Sequence, residues 1–210
     1  MSNSNKKLII FDMDGTLVDS SITIVNAINY VRKKLNLSPL DRELILTKVN
    51  DPELNPALFF YETEEFDEKQ EAWFSEYYTD NHAKELQLYD DIKELLEELK
   101  ERGYKLAVAT NAYRGSTLES LSHLNIVDYF SSIACYDDVG RGKPAPDMLE
   151  KNLKDTNCKS SEALFIGDSE RDLMAANSLK IDYIMINWGF SDYDDAIHSV
   201  DKLKEKILEY

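Results

Sequence analysis

Residues 8–16 have the sequence Leu8-Ile9-Ile10-Phe11-Asp12-Met13-Asp14-Gly15-Thr16. A short run that is apolar at every position is typical of a parallel strand covered on both faces. Because side chains two residues apart on a strand share a face, the carboxylates of Asp12 and Asp14 start on the same side. Two close carboxylates repel each other unless a cation lies between them, and Gly15 permits a tight turn after them. The stretch therefore predicts a buried strand that ends in an acidic functional turn.

Later apolar runs have the same character and predict further strands at Leu106–Ala109, Ser132–Tyr136, Ala163–Ile166 and Tyr183–Ile186. Helical patterns lie between them, with apolar residues spaced along Ile92–Leu99, Leu118–Leu124 and Met148–Leu153. Strands that alternate with helices predict an α/β fold built on a doubly wound parallel sheet.

The interval between the first two strands breaks this rhythm. About ninety residues separate Phe11 from Leu106, far more than one crossover helix requires. The interval holds a helical stripe of apolar residues, three prolines and a stretch rich in aromatic residues. We therefore expect residues 19–86 to form a small helical domain, inserted into a core made of residues 1–18 and 87–210. The aromatic residues of the insertion are interpreted as its hydrophobic core.

The charge balance is acidic, with 40 acidic and 24 basic residues and a net charge of −16. Such a field opposes binding to nucleic acids and to anionic lipids, both of which depend on Lys and Arg. No apolar run approaches the roughly 20 residues of a membrane span. Two cysteines do not make a disulfide framework, and the apolar run near the start is too short for a secretory signal. We expect a cytoplasmic protein that binds neither nucleic acid nor membrane.

Polar residues also follow the other predicted strands. Thr110 and Asn111 end the second strand, Lys143 follows the third and Asp168 ends the fourth. In open α/β sheets ligands bind outside the carboxyl ends of the strands, so these residues should converge with the acidic turn. Carboxylates with water bind Mg²⁺, whereas a hydroxyl, an amide and an ammonium group suit phosphoryl oxygens. Taken singly, the first two could simply cap a helix, and the lysine could be a surface charge of a loop.

These motifs resemble those of a known family. The stretch Asp12–Ser20 looks like the first motif of the haloacid dehalogenase-like phosphatases, Thr110-Asn111 like the second, Lys143-Pro144 like the third and Gly167–Asp172 like the fourth. Trp188-Gly189-Phe190 resembles a further feature of the phosphoglycolate phosphatase-like branch. The resemblance implies a Rossmann-like core with the inserted helical domain as a cap over the site.

The resemblance also implies roles for the residues of the acidic turn. Asp12 would attack phosphorus and become an aspartyl phosphate, a route open to carboxylates. Asp14 would protonate the leaving oxygen and later activate the hydrolytic water. Met13 and Gly15 would offer backbone contacts to the bound phosphoryl group.

A second group of residues would bind the phosphoryl group from neighbouring strands. By the same resemblance, Thr110 and Asn111 would hydrogen-bond the phosphoryl group and the region of the nucleophile. Lys143 would neutralise negative charge on Asp12 and on the phosphate.

Mg²⁺ is the cofactor that the resemblance implies. Asp12, the carbonyl oxygen of Asp14, Asp168 and waters would hold it, and Asp172 would support its water shell. The charge of the metal would explain how an acidic pocket accepts an anionic substrate.

Together these features predict a Mg²⁺-dependent phosphatase that hydrolyses a small phosphomonoester metabolite and acts as a monomer or homodimer. One alternative is a phosphosugar mutase, whose relatives tend to carry a histidine soon after the first motif; residues 21–35 contain none. A second alternative is a phospho-accepting signalling module, which would have no equivalent of Asp14. Asn50 occupies a segment where many phosphoglycolate-type relatives carry a glycine-containing loop, which leaves the substrate open.

Overall fold

The computed structural model describes residues 6–49, 51, 54–188 and 195–210. Asn50, Gly189 and Phe190, which the sequence analysis singled out, lie outside the described residues. The strands are β1 Leu8–Phe11, β2 Val18–Asp19, β3 Gln87–Leu88, β4 Lys105–Ala109, β5 Ser132–Ala134, β6 Ala163–Gly167 and β7 Asp182–Met185. The helices are α1 Ser21–Lys34, α2 Arg42–Val49, α3 Pro56–Tyr61, α4 Glu68–Glu85, α5 Ile92–Glu101, α6 Arg114–His123, α7 Asp147–Thr156, α8 Glu170–Leu179 and α9 Val200–Glu209.

A parallel sheet in the order β5-β4-β1-β6-β7 forms the centre of the larger unit. All four residues of β1 are buried, as a central strand covered on both faces requires. Helices α5, α7 and α8 pack against the strands. The prediction of an α/β, Rossmann-like fold with a doubly wound parallel sheet is confirmed. The short strands β2 and β3 pair in a separate two-stranded sheet.

The register of the sheet brings the strand ends to one edge. Phe11 is paired with Val108 on β4 and with Ile166 on β6. The next residue, Asp12, donates its backbone N–H to the Ile166 carbonyl over 2.9 Å. Residues that follow β1, β4 and β6 therefore start from adjacent positions at the carboxyl edge, where ligands bind in such sheets.

The predicted end of the third strand is wrong, because β5 stops at Ala134 and not at Tyr136. Tyr136–Asp138 form a 3-10 turn, and the backbone N–H of Cys135 donates to Asp138 Oδ2 over 3.0 Å. This side-chain hydrogen bond draws the chain out of the sheet, and an apolar pattern does not reveal it. The last strand begins and ends one residue earlier than predicted.

A buried asparagine fastens α7 to the sheet. Asn152 is fully buried; its Nδ2 donates to the Val108 carbonyl over 3.0 Å, and its Oδ1 accepts from Ser132 Oγ over 2.7 Å. Both halves of the amide are thus paired inside the core, as buried polar groups require.

The chain forms two compact units, one of Met1–Asp19 with Leu88–Tyr210 and the other of Ser20–Gln87. Helices α1–α4 lie in the second unit, where α1 packs along α4. Its core contains Val31, Ile45 and Phe60, with further aromatic residues packed against them. Among the described residues, none of the helices combines the length and the apolar character needed to cross a membrane.

Candidate active site

The acidic turn after β1 is held by its own backbone. The Met13 carbonyl accepts hydrogen bonds from the N–H groups of Leu17 and Val18, over 2.9 and 3.0 Å. Gly15 has a φ of +80°, and a Cβ there would overlap the carboxylate of Asp168. Glycine is therefore required twice, for the backbone conformation and for the close approach of the loop that follows β6. Backbone contacts of Met13 and Gly15 to a phosphoryl group stay a prediction.

Lys143 lies at the centre of the site. Its Nζ is 2.5 Å from Asp12 Oδ1 and 2.6 Å from Asp172 Oδ1, and the lysine side chain is only 5% exposed. Asp172 Oδ2 also accepts from Ser169 Oγ over 2.7 Å. Lys143 is thus a buried bridge between two carboxylates, and the interpretation as a surface charge of a loop is wrong.

Three carboxylates share this space. Asp12, Asp168 and Asp172 each offer an oxygen, and these oxygens all lie within 4.8 Å of one another. Asp14 lies outside this group, although its charge raises the pKa of Asp12. One ammonium group therefore faces three carboxylates, and the cluster has an excess of negative charge if all of them ionise.

The electrostatics follow from burial and from this crowding. Burial, and to a smaller extent the charge of Asp172, raise the pKa of Asp12, Lys143 opposes both, and the net result is a pKa of about 7. Burial and the charges of Asp12 and Asp172 raise the pKa of Asp168 well above its ordinary value. Burial lowers the pKa of Lys143, but its two carboxylate partners outweigh burial and raise it.

The donor set fits a hard divalent cation. Carboxylate oxygens are the ligands that such ions prefer, and a cation would relieve the repulsion that raises the pKa values. Asp172 has one oxygen on Lys143 and the other on Ser169. Asp12 and Asp168 are therefore better placed to supply ligand oxygens, with Asp172 in the supporting role that the sequence suggested.

Thr110 and Asn111 follow β4 and are drawn into the same region. Thr110 is 2% exposed, and its Oγ1 accepts from the N–H of Ala112 over 3.1 Å. Asn111 Oδ1 accepts from the backbone N–H of Lys143 over 2.8 Å, and Asn111 Nδ2 donates to the Lys143 carbonyl over 3.0 Å. Helix α6 has Tyr113 at its N-cap, without a side-chain capping bond, so neither residue caps that helix.

Sequence reasoning assigned no role to several residues that build the site. Gly167 has no space for a Cβ because the Asp172 carboxylate lies against it. Tyr183 donates its hydroxyl to the Ser169 carbonyl over 3.2 Å. Trp188 Nε1 donates to the Thr16 carbonyl over 3.0 Å, which anchors the chain just after the acidic turn. For Gly167 and Trp188 the only signal was the resemblance of their segments to family motifs, and nothing in the sequence indicated the contact of Tyr183.

Comparison with known proteins places this chain in a class of hydrolases. The chain matches the family model for haloacid dehalogenase-like hydrolases over residues 9–186. The chain therefore belongs to the haloacid dehalogenase-like hydrolase family.

Individual relatives cover almost the whole chain. The chain is 30% identical over 204 residues to a phosphoglycolate phosphatase of Colwellia psychrerythraea, which covers 93% of this chain and 90% of that protein. It is 30% identical over 181 residues to the pyrophosphatase PpaX of Bacillus velezensis, with 85% and 82% covered. The crystal structure of a predicted phosphatase from Clostridium acetobutylicum matches with a TM-score of 0.83 and 28% identity, over 98% of this chain and 99% of that one. The predictions of the family and of a hydrolytic enzyme are confirmed, and the roles of single residues stay predictions.

Asp12→Asn is expected to stabilise the metal-free protein at alkaline pH. The folded state binds a proton at Asp12 up to about pH 7, whereas an unfolded aspartate ionises near pH 4. Stability of the wild type should therefore fall as the pH rises between these values. We expect the variant's free energy of unfolding in EDTA to exceed the wild type's by more than about 1 kcal/mol at pH 8, with a smaller difference at pH 5.

Urea unfolding at several pH values measures this difference. Asp201→Asn is the matched control, because Asp201 is exposed on α9, and it should show no such gain. A wild type that is more stable than Asp12→Asn at pH 8 in EDTA would contradict the electrostatic account.

Proposed function

We propose that this protein is a Mg²⁺-dependent phosphatase that hydrolyses a small phosphomonoester metabolite through an aspartyl-phosphate intermediate. The observation that carries the proposal is the environment of Asp12. This carboxylate lies at the carboxyl end of the central strand, is bonded to Lys143 and shares its space with Asp168 and Asp172. A nucleophile needs this combination of a fixed position and nearby positive charge.

In the first step, an oxygen of Asp12 forms a bond to phosphorus while the bond from phosphorus to the leaving oxygen breaks. Asp14 gives its proton to the leaving oxygen, which departs as an alcohol. In the second step, Asp14 takes a proton from water, and the water oxygen attacks phosphorus. The bond to Asp12 breaks, which regenerates the carboxylate and releases inorganic phosphate.

The remaining residues offset the negative charge of the phosphoryl group and of the carboxylates during these steps. Lys143 stays paired with Asp12 and Asp172, so positive charge faces the phosphoryl group as it moves between oxygens. Asp12, the Asp14 carbonyl and Asp168 would hold Mg²⁺, and Asp172 would support it. When bound, Mg²⁺ supplies the positive charge that allows an anionic phosphate to approach an acidic site.

The substrate is proposed to be small. The relatives named above are a phosphoglycolate phosphatase and a pyrophosphatase, and we extend to this chain the hydrolysis of a small phosphorylated compound. Residues 19–86 carry fourteen acidic and seven basic side chains, a balance that disfavours polyanions such as nucleic acids. We further propose that this segment serves as the cap domain and that the enzyme acts in the cytoplasm as a monomer or homodimer.

Mg²⁺ should raise the melting temperature of the protein and be required for turnover. The cation replaces protons among the crowded carboxylates, so the increase should be larger at pH 8 than at pH 6. Excess Ca²⁺ should inhibit, since it prefers more and longer oxygen contacts. Thermal denaturation with and without Mg²⁺ tests this, with Asp168→Asn expected to lose the increase and Asp201→Asn to keep it. Full activity in EDTA of a protein purified without metal would rule out the requirement.

Substitutions in the acidic turn should distinguish the role of Asp12 as nucleophile from the role of Asp14 as general acid. Asp12→Asn should abolish turnover, because an amide is a poor nucleophile. Asp14→Asn should slow alkyl phosphates by about 10²–10⁴-fold and aryl phosphates by less, because an aryl leaving group needs little protonation. Steady-state kinetics on both substrate types measure the ratio. Equal losses on alkyl and aryl phosphates would contradict the role given to Asp14.

The proposed substrate class predicts an order of kcat/KM values. Small acid phosphates and sugar phosphates should exceed a phosphopeptide and an oligonucleotide with a terminal phosphate. A panel of these compounds, assayed by phosphate release with Mg²⁺, gives the order directly. Preference for the phosphopeptide or the oligonucleotide would overturn the small-metabolite assignment.

A further inference from the structure

We propose that Asn111 is a positioning residue that acts through Lys143: its amide fixes the lysine backbone so that the ammonium group reaches both Asp12 and Asp172. This inference rests on the proposed function, because it concerns the same site. It differs from the role suggested by the sequence, in which Asn111 bonds the phosphoryl group directly.

The first support is the hydrogen-bond pattern between two residues 32 positions apart. Asn111 Oδ1 accepts from the Lys143 N–H over 2.8 Å, and Asn111 Nδ2 donates to the Lys143 carbonyl over 3.0 Å. Both backbone groups of one residue are thus bound by one planar amide. This clamp fixes the position and the direction of the peptide from which the lysine side chain extends.

The second support is the residue before the lysine. A Cβ at Gly142 would lie 2.7 Å from Asn111 Oδ1 and 2.9 Å from Tyr136 Cδ2. Both distances are shorter than real Cβ contacts allow, so any larger residue there would push the Asn111 amide away. The loop therefore has glycine at the position where the amide must approach.

The third support is that the Asn111 amide has few hydrogen-bonding groups left for a phosphate. An asparagine amide has an acceptor oxygen and two donor hydrogens. The oxygen and one hydrogen of Asn111 are directed to Lys143, which favours a role in positioning over a role in phosphate binding.

Fixing the Lys143 backbone matters because its side chain is long. A lysine side chain loses rotamer entropy when it is held in one conformation, and a fixed backbone limits the positions from which it must reach both carboxylates. Here Nζ lies 2.5 and 2.6 Å from oxygens of two different carboxylates, so a displacement of the backbone lengthens at least one of these two contacts. A misplacement of about 1 Å can reduce a rate by about 10²-fold.

A double-mutant cycle between Asn111→Ala and Lys143→Met tests the inference. Asn111→Ala should reduce kcat/KM by about 10–10²-fold in the wild-type background. In the Lys143→Met background the same change should cost less than about twofold, because residues that act as a unit are not additive. The loss of stability should be similar in both backgrounds, since the clamp binds the lysine backbone, which Lys143→Met retains. A merely structural role would not produce this split between activity and stability.

The cycle can be measured by catalysis or by binding of phosphate. The assay uses an activated aryl phosphate, and binding of inorganic phosphate by calorimetry provides the same cycle where Lys143→Met is too slow to assay. Asn152→Ala is the matched control: this buried asparagine also has both halves of its amide paired, but its partners are Val108 and Ser132 and not Lys143. Asn152→Ala should lower the stability of the protein, and it should change kcat/KM by a similar factor in the wild-type and the Lys143→Met backgrounds.

The outcomes separate the inference from the proposed function. An equal loss from Asn111→Ala in both backgrounds would mean that Asn111 contacts the phosphate directly, and no loss in the wild-type background would mean that the clamp is dispensable. Either result overturns the inference while the phosphatase stands. A wild-type protein that neither hydrolyses the aryl phosphate with Mg²⁺ nor binds phosphate would overturn the proposed function instead.

Discussion

The ion pairs of Lys143 with Asp12 and Asp172 are the interaction on which the site depends. Burying one ammonium among three carboxylates is unfavourable, because desolvation of each charge can exceed the attraction between them. The pKa values of Asp12 and Asp168 are raised because this desolvation outweighs the attraction to Lys143. The fold keeps two of these charges on rigid elements, with Asp12 at the end of β1 and Asp172 in the first turn of α8. An excess of negative charge of this kind favours the binding of a cation.

Close contacts around the cluster show how little freedom its members have. Asp172 is held by Lys143 and by Ser169, which also caps α8. The carboxylate of Asp168 leaves no space for a side chain at Gly15, and that of Asp172 leaves none at Gly167. A preorganised site of this kind requires no rearrangement as charge develops during a reaction.

Much of this arrangement could be predicted from the sequence. Parallel strands bring their carboxyl ends to one edge, so the convergence of Asp12 and Asp168 follows from the strand pattern, and Lys143 could be expected nearby because it follows the third strand. The clamp from Asn111 to the Lys143 backbone could not be predicted, because it depends on the path of a loop that has no periodicity. The early end of β5 at Ala134 could not be predicted either, since a local side-chain hydrogen bond overrides the apolar pattern there.

The place of β1 in the sheet has a consequence for synthesis on the ribosome. This strand is made first, yet it lies in the middle of the sheet, between β4 and β6. The lysine that pairs with Asp12 is synthesised 131 positions later in the chain, and the loop that follows β6 is synthesised later still. Truncated translation products that end just before that loop therefore contain Asp12 and Lys143 but lack Asp168 and Asp172. Such fragments lack two of the three carboxylates of the cluster, so the complete cluster can form only once Asp172 has emerged from the ribosome.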